Sequence, residues 1–179
     1  MNLPNKLTIL RVCTIPFFVL FMEVDVFDNA DKYIALALFI IASITDALDG
    51  RIARKYNLVT NFGKFMDPLA DKLLVCSALI CLVGDIPSWI VVVIISRELI
   101  ISGFRTIAAD NGIVIAASNW GKVKTVFQMI MIMWLILDMP YFACRVIGQV
   151  LIYASLVLTV ISLVDYMIKN KSVLKENNK

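Results

Sequence analysis

The chain contains no histidine among its 179 residues, and this absence excludes several kinds of catalytic site. A Ser-His-Asp triad, a phosphohistidine intermediate and a histidine-ligated zinc site all require the imidazole side chain. Cysteine is also scarce: Cys13, Cys76, Cys81 and Cys144 lie in apolar stretches, and none forms a C-x-x-C pair. We interpret the four cysteines as small hydrophobic residues rather than as a redox or metal centre.

Charged residues are few as well, at 17% of the chain, whereas 60% of the residues are hydrophobic and the mean hydropathy is +0.85. Soluble domains have about 45–50% apolar and about 25% charged residues. The excess of apolar side chains in this chain therefore indicates that lipid surrounds the protein. We predict one all-α domain over residues 1–179, a polytopic membrane protein with six transmembrane helices. The predicted segments are Leu7–Met22, Tyr33–Arg54, Phe62–Val83, Pro87–Ala109, Trp120–Leu137 and Ile147–Ile168, and Pro4 and Asn5 are expected to form an interfacial stretch before the first.

The distribution of basic residues predicts the orientation. Of 17 Lys and Arg, only Lys32 and Arg145 fall in the connections between segments 1 and 2, 3 and 4, or 5 and 6. Several acidic residues lie there instead: Glu23, Asp25, Asp28, Asp31, Asp85 and Asp138. Because basic residues remain on the cytoplasmic side, we expect both termini to be cytoplasmic.

Four aspartates are placed where a membrane helix rarely carries charge. Asp46 and Asp49 are three residues apart on the second segment, and Asp67 and Asp71 are four apart on the third. Each pair therefore shares a helix face. Since the two segments are antiparallel neighbours, the four carboxylates can meet at one depth, in the cytoplasmic half of the membrane. Acidic residues in such positions indicate function.

Four carboxylates can share a small site as anions only if cations join them. Oxygen ligands favour Mg²⁺, Mn²⁺ or Ca²⁺ over zinc, and two such ions would form a clamp for a phosphoryl group. The structural alternative is that the aspartates pair with neighbouring basic residues, namely Arg51, Arg54, Lys64 and Lys72. Two aspartate pairs at matching depth favour the metal site.

The residues around the aspartates form a longer motif. It reads Asp46-x-x-Asp49-Gly50-x-x-Ala53-Arg54, then eight residues, then Gly63-x-x-x-Asp67-x-x-x-Asp71. This motif resembles the signature of the CDP-alcohol phosphatidyltransferase family at all eight defining positions. The resemblance implies displacement of CMP from a CDP-linked lipid by a hydroxyl group. It implies two divalent cations, Mg²⁺ or Mn²⁺, and a homodimer.

The resemblance also implies roles for individual residues. Asp46, Asp49 and Asp67 would be metal ligands, and Asp71 would be the catalytic base that also contacts metal. Two glycines and two further positions would line the nucleotide and diphosphate pocket: Gly50, Ala53, Arg54 and Gly63. The opening segment also resembles a branch of the family, in which Asn5, Thr8 and Arg11 would lie near the substrate entrance.

The acceptor must be decided by other residues. A phosphorylated acceptor needs cations, and four candidates lie near the cytoplasmic side: Arg97, Arg105, Lys122 and Lys124. Snorkelling to lipid headgroups is the alternative for some of them. The stretches Ser96-Arg97-Glu98 and Gly121-Lys122-x-Lys124-Thr125 resemble the bacterial branch that uses glycerol 3-phosphate. The resemblance implies that CDP-diacylglycerol and glycerol 3-phosphate are the substrates.

Two other functions stay open at this point. One is a sister transferase with another acceptor, such as inositol phosphate or serine. The other is a divalent-cation transporter, because intramembrane carboxylates also suit that activity, although its ligands should lie near the midplane. We expect a multi-pass protein of the bacterial inner membrane whose active site faces the cytoplasm, with lipid around it and no nucleic-acid partner.

Overall fold

The computed structural model describes residues 3–27, 30–55, 61–110 and 118–170. Within these ranges, the side chains at 3–4, 47–55, 61–62, 64–65 and 109–110 are outside the description. The described residues form six helices and no strand, as an all-α protein requires. The helices are α1 (Leu3–Glu23), α2 (Asp31–Lys55), α3 (Asn61–Cys81), α4 (Ser88–Asp110), α5 (Asn119–Leu137) and α6 (Phe142–Lys169).

Two of the helices begin at least four residues earlier than the sequence predicts. Helix α1 already includes Pro4 and Asn5, which we expected to precede it. Proline is compatible with the first turn of a helix, because the N–H that it lacks would have no partner there. Helix α6 begins at Phe142, five residues before the predicted start at Ile147. The intervening Arg145 is exposed, so its charge lowers the local hydropathy without interrupting the helix.

Residues 1–85 and 132–138 form one compact unit, which we call the first unit. Helix α1 packs against α2 and α3 there. The rings of Phe18 and Phe39 are fully buried, with centroids 5.9 Å apart. Alanines occupy much of the remaining interface, and four of them are buried: Ala35, Ala42, Ala70 and Ala78. Small side chains let helices approach closely, and this close packing brings the polar residues of α1 to α2 and α3.

Residues 86–131 and 139–179 form the second unit, in which α4 packs against α6. Phe104 and Tyr166 meet edge to face, with ring centroids 5.8 Å apart. Arg97 donates to Ser162, and these two residues precede Phe104 by about two turns and Tyr166 by about one turn, so α4 and α6 run in the same direction. The buried residues of α6 recur every three or four positions: Gly148, Ile152, Ser155, Thr159, Ser162 and Tyr166.

Large apolar side chains are exposed along every helix. Examples are Phe17, Ile44, Leu73, Val92, Val126 and Val157, each at least 45% exposed. Exposed apolar side chains on every helix are typical of a protein surrounded by lipid. Among the described residues, α1, α5 and α6 are long and apolar enough to cross a membrane by composition alone. The other three helices contain more charged residues, among them the aspartates that the sequence marks as functional.

A cavity of about 590 Å³ in the first unit is lined by several acidic residues. Four aspartates contribute to it, with one nearby cation: Asp25, Asp31, Asp85, Asp138 and Lys32. These residues come from three connections that the charge distribution assigns to one side of the membrane. Lys32 lies 3.9 Å from Asp138, so one ammonium group faces several carboxylates.

This crowding predicts a pH-dependent stability at Asp85. Burial, followed by the negative charge of Asp138, raises the pKa of Asp85 above its ordinary value of 3.8. A carboxyl group with a raised folded-state pKa contributes stability below its unfolded pKa, and this contribution is lost as the pH rises through the folded pKa. We therefore expect Asp85→Asn to raise the melting temperature at pH near 7, with the difference disappearing as the pH falls below the ordinary pKa of 3.8.

Thermal unfolding in detergent at both pH values would measure this effect. A variant that melts below the wild type at neutral pH would contradict the proposed repulsion, because an unfavourable ionised carboxylate should not stabilise the fold when present.

Candidate active site

One face of α1 is polar over its first turns and apolar afterwards. Asn5, Thr8 and Arg11 are at most 7% exposed, and Ile15 and Phe18 continue the same buried face. The spacing of three or four residues places all five side chains on one side of the helix. Buried polar groups need partners, and Thr8 and Arg11 find theirs in aspartates of α3 and α2.

Each of two predicted metal ligands is held by a side chain of α1. Arg11 donates from Nη1 to Oδ1 of Asp46 over 2.6 Å, and its own side chain is fully buried. Thr8 donates its hydroxyl to Oδ1 of Asp67 over 2.5 Å. The carboxylates of Asp46 and Asp67 also lie near enough to repel each other. The structure thus brings together α1, α2 and α3 at the two aspartates.

This arrangement fits a divalent cation by its donor chemistry. The acidic side chains offer only oxygen, and Asp46 remains 35% exposed beside Arg11, so it is accessible to an ion. Asp71 is half-buried one helical turn beyond Asp67. No three described carboxylates converge on a single point. The third predicted ligand, Asp49, is among the residues without a described side chain, so the full ligand set stays a prediction.

Of the other residues predicted to line the nucleotide pocket, some have a described position in the structure and others do not. Gly63 is buried in α3, in the turn before Asp67. Gly50, Ala53 and Arg54 lie on α2, but their side chains are outside the described set. Their roles in binding nucleotide and diphosphate stay predictions.

A second polar cluster lies in the second unit. Arg97 on α4 is 7% exposed and Lys124 on α5 is 2% exposed. Both cations donate to the same oxygen, Oε1 of Glu98, with the Arg97 contact at 3.0 Å. Arg97 also donates from Nη2 to the hydroxyl of Ser162 over 2.8 Å. Two positive charges face one carboxylate, so this cluster, which we call the cationic cluster, carries a net positive charge and suits an anion.

The cationic cluster lies close to the start of α5, at Gly121. A Cβ atom at Gly121 would lie 3.6 Å from Nη2 of Arg97 and 3.5 Å from Oγ of Ser118. Ser118 accepts a hydrogen bond from the backbone N–H of Gly121 over 3.1 Å, in the manner of a helix N-cap. The first turn of α5 therefore lies directly beside the Arg97 guanidinium.

The structure separates the four predicted acceptor residues into two pairs. Arg97 and Lys124 are buried in the cationic cluster, whereas Arg105 and Lys122 are exposed. Lys122 and Lys124 are two residues apart, and positions two apart on a helix do not face the same way. A sequence motif does not report burial, so the sequence could not show which of the four residues are buried and which are exposed.

Comparisons with known proteins identify the family of this chain. The family model described as CDP-alcohol phosphatidyltransferase matches residues 1–161. The chain belongs to the CDP-alcohol phosphatidyltransferase family. The match includes the four aspartates of α2 and α3 and the charged residues of the cationic cluster, and it ends one residue before Ser162.

Several curated relatives cover nearly the whole chain. A Bacillus subtilis protein named CDP-diacylglycerol–glycerol-3-phosphate 3-phosphatidyltransferase is 45% identical, over 99% of each chain. A Haemophilus influenzae protein with the same name is 38% identical, over 98% of this chain and 97% of its own. A Mycobacterium tuberculosis protein named probable phosphatidylglycerophosphate synthase is 41% identical, over 93% of this chain and 80% of its own.

Some contacts of this phosphatidyltransferase were missed by sequence reasoning. The pairing of Arg11 with Asp46 and of Thr8 with Asp67 was not predicted, although the spacing of Asn5, Thr8 and Arg11 on one face was a usable signal. Glu98 appears in a family-like stretch without an assigned role, and in the structure it accepts from both cations of the cluster. Gln128 was not considered, although an amide four residues after Lys124 in an apolar helix is unusual.

Proposed function

We propose that this enzyme transfers the phosphatidyl group of CDP-diacylglycerol to sn-glycerol 3-phosphate. The products are phosphatidylglycerophosphate and CMP, a step of anionic phospholipid synthesis. The observation that carries this proposal is 45% identity, over 99% of both chains, to a relative named for that reaction. The buried cationic cluster supports it, because Arg97 and Lys124 suit an acceptor that bears phosphate.

The aspartates would act at the diphosphate of the lipid substrate. Two divalent cations, Mg²⁺ or Mn²⁺, held by Asp46, Asp49 and Asp67 and contacted by Asp71, would supply charge neutralisation at the phosphoryl group. Arg11 and Thr8 fix the orientation of Asp46 and Asp67, so that the ligand oxygens need little rearrangement. Arg54, with Gly50, Ala53, Gly63 and Asn5 nearby in the motif or on α1, would bind the nucleotide and diphosphate.

The reaction itself is a direct displacement. Asp71 would take the proton from the 1-hydroxyl of glycerol 3-phosphate. The hydroxyl oxygen then forms a bond to the phosphorus that bears diacylglycerol, and the bond from that phosphorus to the CMP oxygen breaks. CMP leaves with the electron pair. No covalent enzyme intermediate is required, which agrees with a chain that lacks histidine.

The acceptor is the part of this proposal that an assay decides. Purified enzyme with CDP-diacylglycerol would be offered radiolabelled glycerol 3-phosphate, serine and inositol phosphate in parallel. We expect CMP release and a labelled lipid only with glycerol 3-phosphate. Labelled lipid with serine or inositol phosphate alone would assign the enzyme to a sister branch of the family.

We further propose six membrane-spanning helices in one domain over residues 1–179, with both termini and the active site on the cytoplasmic side of the bacterial inner membrane. The distribution of basic residues supports this orientation. The directions of the helices are compatible with it, because α4 and α6 run the same way, as the fourth and sixth spans must. A homodimer is implied by the family resemblance.

Cysteine labelling would test the orientation. In a variant without the four native cysteines, Tyr141→Cys lies in the connection before α6 and Asn119→Cys at the start of α5. A membrane-impermeant maleimide added to spheroplasts should label the cysteine at 141, and should label that at 119 only after permeabilisation. Labelling of both cysteines from outside would show that the connections before α5 and α6 lie on the same side of the membrane, which would refute the proposed orientation.

A further inference from the structure

Gln128 is a buried amide that makes no side-chain hydrogen bond to the described part of the chain. Its side chain lies on α5 and the residue is 2% exposed. Neither Oε1 nor Nε2 has a partner among the residues that the structure describes. A buried amide without partners costs free energy, and a leucine at this position would avoid that cost. A polar group retained at such a position is expected to meet a ligand that supplies the missing partners.

The position of Gln128 indicates which ligand that is. It follows Lys124 by four residues, so both side chains share one face of α5, and the rise between them is about 6 Å. Lys124 and Arg97 belong to the cationic cluster, where Nε of Arg97 is also without a partner among the described residues. A cation-rich end and an amide therefore follow one another along a single buried helix face.

A phosphorylated polyol matches this order of groups. In glycerol 3-phosphate, four covalent bonds separate the phosphorus from the oxygen of the secondary hydroxyl, so the two groups are spaced on the scale of one helical turn. A hydroxyl can donate to the amide oxygen and accept from the amide nitrogen, and a glutamine offers both groups.

Resting on the proposed function, we propose that Gln128 determines acceptor specificity by binding the secondary hydroxyl of glycerol 3-phosphate. The phosphate lies at Arg97 and Lys124, and the primary hydroxyl is left free to react. A site built to hydrogen-bond a substrate hydroxyl discriminates strongly against an analogue that lacks it, because the buried polar groups of the site are then left unpaired. Gln128 is therefore a specificity-determining residue rather than a catalytic one.

The test compares two acceptors on matched variants. The acceptors are glycerol 3-phosphate and 3-hydroxypropyl phosphate, which keeps the phosphate and the primary hydroxyl but lacks the secondary one. Gln128→Met retains the length of the side chain and removes the amide. Gln149→Met makes the same change at an exposed position of α6 and serves as the control.

We expect the wild type and Gln149→Met to prefer glycerol 3-phosphate by roughly 100-fold or more in kcat/KM. Gln128→Met should reduce this preference at least about tenfold by losing activity toward glycerol 3-phosphate, with activity toward the analogue nearly unchanged. If Gln128→Met yields no folded protein, Gln128→Leu is measured in the same way. An equal loss toward both acceptors would indicate a structural role and overturn the proposal, as would an unchanged preference.

Failure of this inference is distinguishable from failure of the proposed function. A wild type that does not use glycerol 3-phosphate refutes the reaction itself. A wild type that uses it, together with a variant of unchanged preference, refutes only the role of Gln128.

Discussion

Chelation of divalent cations with EDTA is expected to abolish transferase activity, and addition of Mg²⁺ or Mn²⁺ should restore it. The physical reason is that Asp46 and Asp67 repel each other, with the buried guanidinium of Arg11 beside Asp46, and in the proposed reaction the substrate adds a diphosphate to the same region. Only cations can neutralise this accumulation of negative charge. CMP release, measured before and after readdition of metal, checks the prediction.

Substitution of the ligands should have an effect of the same kind. Asp46→Asn or Asp67→Asn removes a charge while keeping the shape of the side chain, and should lower kcat/KM by about 10³-fold or more, equivalent to several kcal/mol of transition-state stabilisation. Asp165→Asn is the matched control, because that carboxylate pairs with Lys169 on α6 and lies outside the motif. Full activity in EDTA, or an equal effect of all three substitutions, would remove the case for a metal site.

Asp71 can be separated from the ligands by the same measurements. If it is the base, Asp71→Asn should abolish turnover and leave CDP-diacylglycerol binding nearly intact, because the other carboxylates still hold the cations. Loss of a ligand should weaken binding and turnover together. Binding of the lipid substrate to the inactive variants, measured by isothermal calorimetry in detergent, distinguishes the two outcomes.

The sequence predicted candidate site residues where a charged side chain lies within an apolar segment. Carboxylates within apolar helices are exceptional, and their spacing of three or four placed them on common faces. In the structure, α1 contacts both Asp46 on α2 and Asp67 on α3, whereas the shared metal site stays a prediction. Hydropathy could not identify their partners, because it describes α1 only as a short apolar helix. The buried face through Thr8 and Arg11 emerges only when α1 is packed against its neighbours.

The second unit shows a different limit of sequence reasoning. Ser155, Thr159 and Ser162 are fully or almost fully buried on α6, yet small hydroxyl residues lower the hydropathy of a helix very little. Two of them also bond to the helix backbone: Thr159 donates to the carbonyl of Ser155 and Ser162 to that of Thr159. Such residues are common in membrane helices, so nothing in the sequence marks Ser162 as the partner of Arg97.

The cationic cluster leads to the second large effect, a contrast between two neighbouring lysines. Lys124 is buried beside Arg97 and donates to Glu98, whereas Lys122 is exposed. Lys124→Met should raise the KM for glycerol 3-phosphate by roughly 10- to 100-fold, because a buried charge-assisted contact to phosphate is lost. Lys122→Met should change it by no more than about threefold, since exposed ion pairs contribute little.

Removing Lys124 also leaves the Glu98 carboxylate with fewer partners, and the design must separate this structural effect from lost acceptor binding. In the double variant Lys124→Met with Glu98→Gln, both opposite charges are absent, so the structural penalty is largely relieved. If Lys124 binds the acceptor phosphate, the KM for glycerol 3-phosphate stays raised in the double variant, while the KM for CDP-diacylglycerol remains near that of the wild type. Recovery of the wild-type KM would show that Lys124 serves only to neutralise Glu98, and the acceptor phosphate would have to bind elsewhere.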